Sequence, residues 1–295
     1  MAIIELSTFT PSEPQQRHGR RPEWLKVRAP GGEDFARVKT MMRAKALHTV
    51  CEEAHCPNIA ECWNAGTATF MIHGDTCTRS CGFCAVKTGR PLPVDHDEPR
   101  RVAEAIRSMG IKHAVITSVD RDELKDGGSV IWAETITVCR ELNPGTTLEV
   151  LIPDFKGNTD NLQRVIDARP DILAHNTETV PRLYRQVRPQ GRYQWALDVL
   201  AESKRQGMRT KTGVMLGLGE TSEEVVNVMH DLAAVGVDVL TLGQYLQPTK
   251  NHIPVDRFVH PDEFRHYADL GREMGFDHVE SGPLVRSSYH AERHL

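Results

Sequence analysis

The chain has 295 residues, 39% hydrophobic and 26% charged, with a formal net charge of −4. That size supports one large domain with a substantial core, and the acidic balance argues against nucleic acid as a partner. Residues 1–14 lack the basic stretch and apolar core of a secretory signal, and no apolar run approaches a bilayer's width, so a cytoplasmic setting without membrane contact is expected.

Residues 1 to about 30 are rich in Pro, Gln and Arg and show no period, which predicts an extended arm. Over 33–50, Phe35, Val38, Met41 or Met42 and Leu47 recur at near-helical spacing, which predicts a helix leading directly into Cys51. Beyond the cysteines strands and helices alternate. Strands are expected over 67–72, 112–118, 146–152, 171–175, 208–216 and 237–243. Helices are expected over 98–109, 130–142, 160–168, 193–205, 222–235 and 261–274. Thr159 is a candidate cap, Thr221 with Glu224 has capping-box spacing, and Pro261 suits a first helical turn. A last short strand is expected over 277–280.

Six β–α units in a row predict an α/β fold with a parallel sheet. A closed eight-unit barrel needs two more units, so an incomplete (β/α)6 barrel fits better. A doubly wound sheet is the alternative, but the loop after its first strand is Gly-rich, and here that loop carries cysteines. The expected organisation is an arm and extension over 1–66, a partial barrel over 67–281 and a tail over 282–295.

Six of the seven cysteines fall between Cys51 and Cys84. In a long chain expected in a reducing compartment, such clustering points to metal ligation rather than disulfides. Cys139 stands alone in a helical pattern and reads as a small hydrophobe. Cys77-Thr-Arg-Ser-Cys81-Gly-Phe-Cys84 follows the first expected barrel strand. Three soft thiolates from one loop suit a cubane iron–sulfur cluster with one iron left open, whereas an ordinary cubane takes four. A zinc knuckle is the alternative, but zinc favours paired C-x2-C spacings and four ligands, and His73 and His96 flank this loop only loosely. Cys51, Cys56 and Cys62, spaced x4 and x5, form a second triad and call for a second metal centre.

The C-x3-C-x2-C loop, with Phe83 before its last cysteine, resembles the signature of the radical S-adenosylmethionine superfamily. Preceded by C-x4-C-x5-C, it resembles lipoyl synthase in particular. The run Gly282-Pro-Leu-Val-Arg286-Ser287-Ser288-Tyr-His-Ala291 is similar to that family's C-terminal motif, and the likeness extends from about residue 20 to 291. Ala85 departs from the Asn expected after the last cysteine. The resemblance implies two [4Fe–4S] clusters, one on Cys77, Cys81 and Cys84 and an auxiliary one on Cys51, Cys56 and Cys62. Ser288 would be the auxiliary cluster's fourth ligand, with Ser287 as the fallback. It also implies a reaction. A 5′-deoxyadenosyl radical from S-adenosylmethionine takes hydrogen from C6 and then C8 of an octanoyl chain on a carrier lysine. The auxiliary cluster supplies two sulfurs and is consumed. The implied partners are an octanoylated lipoyl carrier domain (2-oxoacid dehydrogenase E2 or glycine cleavage H protein), a low-potential electron donor and an iron–sulfur carrier for cluster repair.

Polar residues mark the expected strand ends: Thr117, Ser118, Asp120 and Asp122; His175, Asn176 and Glu178; Gly217, Gly219 and Glu220; Gln244 and Gln247. Asn176 and Glu178 are the candidates for the ribose and ammonium of S-adenosylmethionine, and Arg188 for its carboxylate. The block from Gly217 to Glu220 is a candidate for close backbone approach to the cofactor. Arg182, Arg185, Arg188 and Arg192, with Lys204, Arg205, Arg209 and Lys211, read either as solvated faces or as a basic patch that steers an acidic carrier. The rival readings are another sulfur-inserting or methylthiolating radical enzyme, and a two-cluster electron carrier.

Overall fold

The structure, a computed structural model, describes residues 69–294 without a break and, ahead of them, 21–27, 36, 39–40, 42–43, 45, 47–53, 56 and 58–59. Cys62 and most of the expected N-terminal arm lie outside the described residues.

Ahead of the barrel, β1 (His48–Thr49) runs antiparallel to β2 (Thr69–Ile72), and α1 (Val50–Glu53) follows at once, carrying Cys51. Of the helix expected over 33–50, residues 36, 39, 40, 42 and 43 are helical, but the helix does not run into Cys51. The Leu47 amide turns back on the Met42 carbonyl at 2.9 Å, and the extended pair His48 and Thr49 then takes up hydrogen bonds on the edge of β2.

After β2, the parallel pair β3 (Thr76–Cys77) and β4 (Lys87–Thr88) closes the base of the cysteine loop. The chain continues through α2 (Glu98–Met109), β5 (His113–Ser118), α3 (Ser129–Leu142), β6 (Thr147–Leu151), α4 (Thr159–Asp167), β7 (Ile172–Ala174) and α5 (Tyr184–Val187). It ends with α6 (Tyr193–Arg205), β8 (Arg209–Leu216), α7 (Ser222–Ala234), β9 (Val239–Gln244), α8 (Pro261–Glu273) and β10 (His278–Gly282). The sheet order is β1-β2-β5-β6-β7-β8-β9-β10, parallel from β2 onward. The end strands β1 and β10 do not pair with each other, so this is the expected incomplete barrel with β10 as a seventh parallel strand.

Successive side chains on a strand point to opposite faces. On one face, Ala114, Ile116, Leu148 and Val150 pack in one apolar cluster, while Leu240 and Leu242 pack in a second. The other face, which lines the barrel interior, is polar: His113 and Thr117 on β5, Glu149 on β6, Lys211 on β8 and Thr241 on β9 are all buried. Lys211 and Glu149 meet there at 2.6 Å with almost no exposure. A polar interior with apolar flanks leaves room for chemistry inside the barrel rather than a packed core.

Helix starts follow local chemistry. Thr221 and Glu224 form the expected capping box, and Pro261 opens α8 behind His260. The cap of α4 is Asn158 instead of Thr159; its side chain accepts the Asn161 amide, and Thr159 becomes the first helical residue. Among the described residues no helix is long and apolar enough to cross a membrane.

Candidate active site

The cysteine loop is anchored from below by Arg79. Its side chain has no exposure, and its guanidinium meets Asp120 at 3.2 Å, Asp122 at 2.8 Å and Asp154 at 2.6 Å. These carboxylates follow the carboxyl ends of β5 and β6, so one fork ties the loop to two strands. From the side, Gly82 donates to the Val187 carbonyl (2.9 Å), its own carbonyl accepts the Ile253 amide (3.0 Å), and His252 Nε2 lies 2.9 Å from the Cys84 carbonyl. A Cβ at Gly82 would sit 2.7 Å from Ile253 Cδ1 and 3.2 Å from the Gln186 carbonyl oxygen, so Ile253 would have to move to admit one. Phe83 packs against the apolar cluster of β8 and β9.

Cys77, Cys81 and Cys84 line a cavity of about 470 Å³, a size typical of small-molecule sites. The Asp120 and Arg79 amides donate to Cys77 Sγ at 3.3 and 3.4 Å. Burial pushes the Cys77 thiol up to about 11, helped by the Asp120 carboxylate, and pushes Cys81 up to about 12 against the pull of Arg188. A bare thiolate is disfavoured in such surroundings, and a metal cation supplies the compensating charge.

Cys51 and Cys56 line the same cavity, and so do Arg286, Ser287 and Ser288. The two ends of the chain are tied directly: Asn58 Nδ2 donates to the Leu284 carbonyl at 2.7 Å. Burial raises the Cys56 thiol, while the guanidinium of Arg286 pulls it down. Both serines reach the cavity, and Cys62 lies outside the described residues.

Across from the cysteine loop stand Asn176, Glu178 and Arg188. Glu178 holds a left-handed φ of 70°, a conformation in which a non-glycine residue is strained, and its backbone is stapled to β8 through Gly213 and Met215. Burial raises its carboxyl, and Arg188 counters the rise. Asn176 Oδ1 and Ser118 Oγ are buried with no hydrogen-bond partner among the described residues, as donors and acceptors awaiting a ligand would be. Arg188 is already engaged, 3.2 Å from Asp154 and 3.1 Å from the Asn176 carbonyl.

Two family models match the chain: the radical SAM superfamily over residues 71–232, and the N-terminal domain of lipoyl synthase over residues 8–56. A mitochondrial lipoyl synthase of Nematostella vectensis is 55% identical over 296 residues, covering 100% of both chains. A lipoyl synthase of Rubrobacter xylanophilus is 61% identical over 277 residues, covering 93% of this chain and 86% of its own. The chain belongs to the lipoyl synthase family. As a radical SAM family member it takes a [4Fe–4S] cluster and S-adenosylmethionine. The fold agrees with distant solved structures. Methylornithine synthase superposes with a TM-score of 0.55 at 13% identity, over 83% of this chain and 77% of that one. Streptococcus suis SuiB bound to S-adenosylmethionine gives 0.59 at 10% identity, over 77% and 54%.

Within the lipoyl synthase family's barrel, some expected residues sit elsewhere. The block from Gly217 to Glu220 does not line the cavity; the Glu220 carboxylate turns back to accept the Gly217 and Leu218 amides at 2.7 and 2.9 Å. Gln244 lines the cavity, but its amide braces the Leu216, Tyr245 and Arg257 carbonyls. Of the basic run, Arg182 pairs with Glu224, Arg205 with Glu202 and Arg209 with Asp277, Lys204 meets Asp238, and Lys211 and Arg188 are buried on carboxylates. Arg185 is exposed, and Arg192 lies over the Trp195 ring at 4.7 Å. His73 is buried against the Gly128 carbonyl (3.1 Å) and Cys139 is fully buried in α3, so neither joins the site. The sequence reading missed Arg79 and Asp154. Arg79 was visible as the one cation inside the cysteine loop, and Asp154 as the carboxylate just beyond the end of β6.

Proposed function

We propose that the chain inserts two sulfur atoms, at C6 and C8, into an octanoyl chain held on a lysine of a lipoyl carrier domain. The observation that carries this reading is the convergence of two cysteine groups and the Arg286–Ser288 tail on one cavity. Cys77, Cys81 and Cys84 would hold the first cluster, each through its sulfur, and leave one iron open to S-adenosylmethionine. When bound, that pair supplies the one-electron chemistry that removes hydrogen from unactivated carbon. Asn176 and Glu178 would orient the ribose and ammonium and Arg188 the carboxylate. Cys51, Cys56, Cys62 and Ser288 would hold a second [4Fe–4S] cluster, the sulfur source and in that sense a substrate. An alkoxide is a harder ligand than a thiolate and is released from iron on protonation, so the chain itself provides the group whose departure opens the sulfur source. The largely apolar lining would accept an alkyl chain.

The division into 1–66, 67–281 and 282–295 belongs to this proposal, the outer two segments serving the sulfur source and the middle one the radical chemistry. So do an octanoylated 2-oxoacid dehydrogenase E2 or glycine cleavage H protein as substrate, a low-potential electron donor and an iron–sulfur carrier for repair. The proposed compartment is the cytoplasm; since one relative is named as mitochondrial, cell fractionation of the native protein decides between the two.

The test is anaerobic reconstitution with iron and sulfide counted per chain, followed by incubation with an octanoyl-lysyl peptide and mass spectrometry. Cys51→Ala is expected to abolish lipoyl formation while 5′-deoxyadenosine is still released. Normal lipoyl formation by that variant would remove the sulfur source from the first triad.

A further inference from the structure

The active cavity gathers at the carboxyl ends of the strands, where Ser118, Leu151 and Gln244 each end a strand. The opposite end of the interior holds a second cluster of ligating side chains that the sulfur chemistry does not use. On β10, Val279 packs toward Gly271 of α8 and Ser281 Oγ donates to the Phe264 carbonyl of α8. His278 and Glu280 therefore face the other way, into the barrel. His278 Nε2 lies 3.2 Å from Glu280 Oε2.

The tail brings the third member. After Ser288 in the active cavity it runs to a 3-10 turn, Ala291–Arg293, that packs on β5. His294 follows, with its carbonyl accepting from Arg209 Nε at 2.6 Å at the start of β8. The His294 ring is fully buried and stands 4.7 Å, centroid to centroid, from the His278 ring. Neither of its nitrogens has a hydrogen-bond partner among the described residues. One ligand atom from each of His278, Glu280 and His294 falls within 4.8 Å of the others.

We propose that His278, Glu280 and His294 form a divalent metal site of the zinc type that fastens the C-terminal tail to the floor of the barrel. Two imidazoles and a carboxylate make a borderline donor set that suits zinc, with water completing a tetrahedron. The surroundings tolerate the ion's charge. Lys211 is neutralised by Glu149, which also lies 3.6 Å from His113, and Arg209 by Asp277. Glu280 contributes one negative charge to the site, and Glu280 and Glu292 both offset the charge of Lys211. A buried imidazole without partners gains its missing one from the metal.

The experiment uses the full chain, anaerobically reconstituted with iron and sulfide so that the cysteines are occupied, then exposed to zinc and desalted. One zinc per chain is expected, with X-ray absorption showing nitrogen and oxygen neighbours and imidazole scattering, and with iron content unchanged. Zinc should slow deuterium exchange over 289–294. His294→Ala and Glu280→Gln, made separately, should each weaken zinc binding by roughly tenfold or more while keeping full iron and sulfide. Failure of the holoprotein to retain zinc, zinc held by sulfur, or unchanged affinity in both variants would each overturn the site. Zinc bound through nitrogen and oxygen without slower exchange over 289–294 would overturn the fastening role.

Discussion

Arg79 concentrates more of the site's architecture than any cysteine. Its guanidinium reaches both Asp122 and Asp154 from the cysteine loop, and it has no exposure to water. Removing one partner of a buried pair leaves the other charges uncompensated, so Arg79→Ala should cost about 3–5 kcal/mol of stability. Denaturant unfolding checks this, and Arg79→Lys should recover only part, because an ammonium lacks the fork that spans several carboxylates. A second residue-scale effect concerns acid. Burial holds His73 and His175 neutral, lowering each to about 4, against about 6.5 in the unfolded chain. The unfolded state thus takes up protons that the folded state refuses. The contribution is complete above pH ~6.5 and is lost as pH falls toward 4, at about 1.4 kcal/mol per pH unit for each histidine. Urea midpoints measured between pH 7 and 4.5 should follow that slope, and because burial also lowers His294, to about 3, His73→Asn should remove about a third of it. A pH-independent midpoint would show that neither ring is held neutral.

Elements were legible where one physical rule decided them. Helices α2 and α6 match the expected 98–109 and 193–205 because an apolar stripe on a polar helix fixes both period and length. The capping box of α7 was readable from two residues, and it carries its own test: Thr221→Ala should lower stability by about 1 kcal/mol, seen as a shifted denaturant midpoint with unchanged slope. Elements set by tertiary pairing were not legible. Two residues of β1 form a strand only because β2 offers an edge, and α5 is a single turn with Leu183 and Val187 buried in the core beneath it. The misplaced cap at Asn158 is subtler. Asn and Thr both cap helices, and one position separates them in sequence, so only the backbone's entry into α4 decides which side chain reaches the Asn161 amide.

At the scale of the whole molecule, the six clustered cysteines announced metal chemistry, but the meeting of Asn58 with Leu284, 226 positions apart, is written in no local spacing; it is a hydrogen bond from the Asn58 side chain to the Leu284 carbonyl. Conversely, a sequence shows the arginines and lysines of the basic run without their partners: Arg182 and Arg209 each face a carboxylate, while Arg185 stands exposed. The barrel and the tail approach each other closely in backbone terms at Gly243 and Val285. A Cβ at Gly243, the penultimate residue of β9, would sit 2.2 Å from the Val285 carbonyl oxygen, and backbone cannot give way as a side chain can. Gly243→Ala should therefore push Val285 aside and carry Ser287 and Ser288 away from Cys51 and Cys56. The cysteine loop around Cys77 hangs on Arg79 and Ile253 instead, and should keep its place. The expected result is loss of the second cluster's iron and of lipoyl formation, with reductive release of 5′-deoxyadenosine retained. Iron and sulfide counts alongside 5′-deoxyadenosine yield measure both halves at once. If the variant kept its full iron and still formed product, the tail would not be the element that completes the sulfur source.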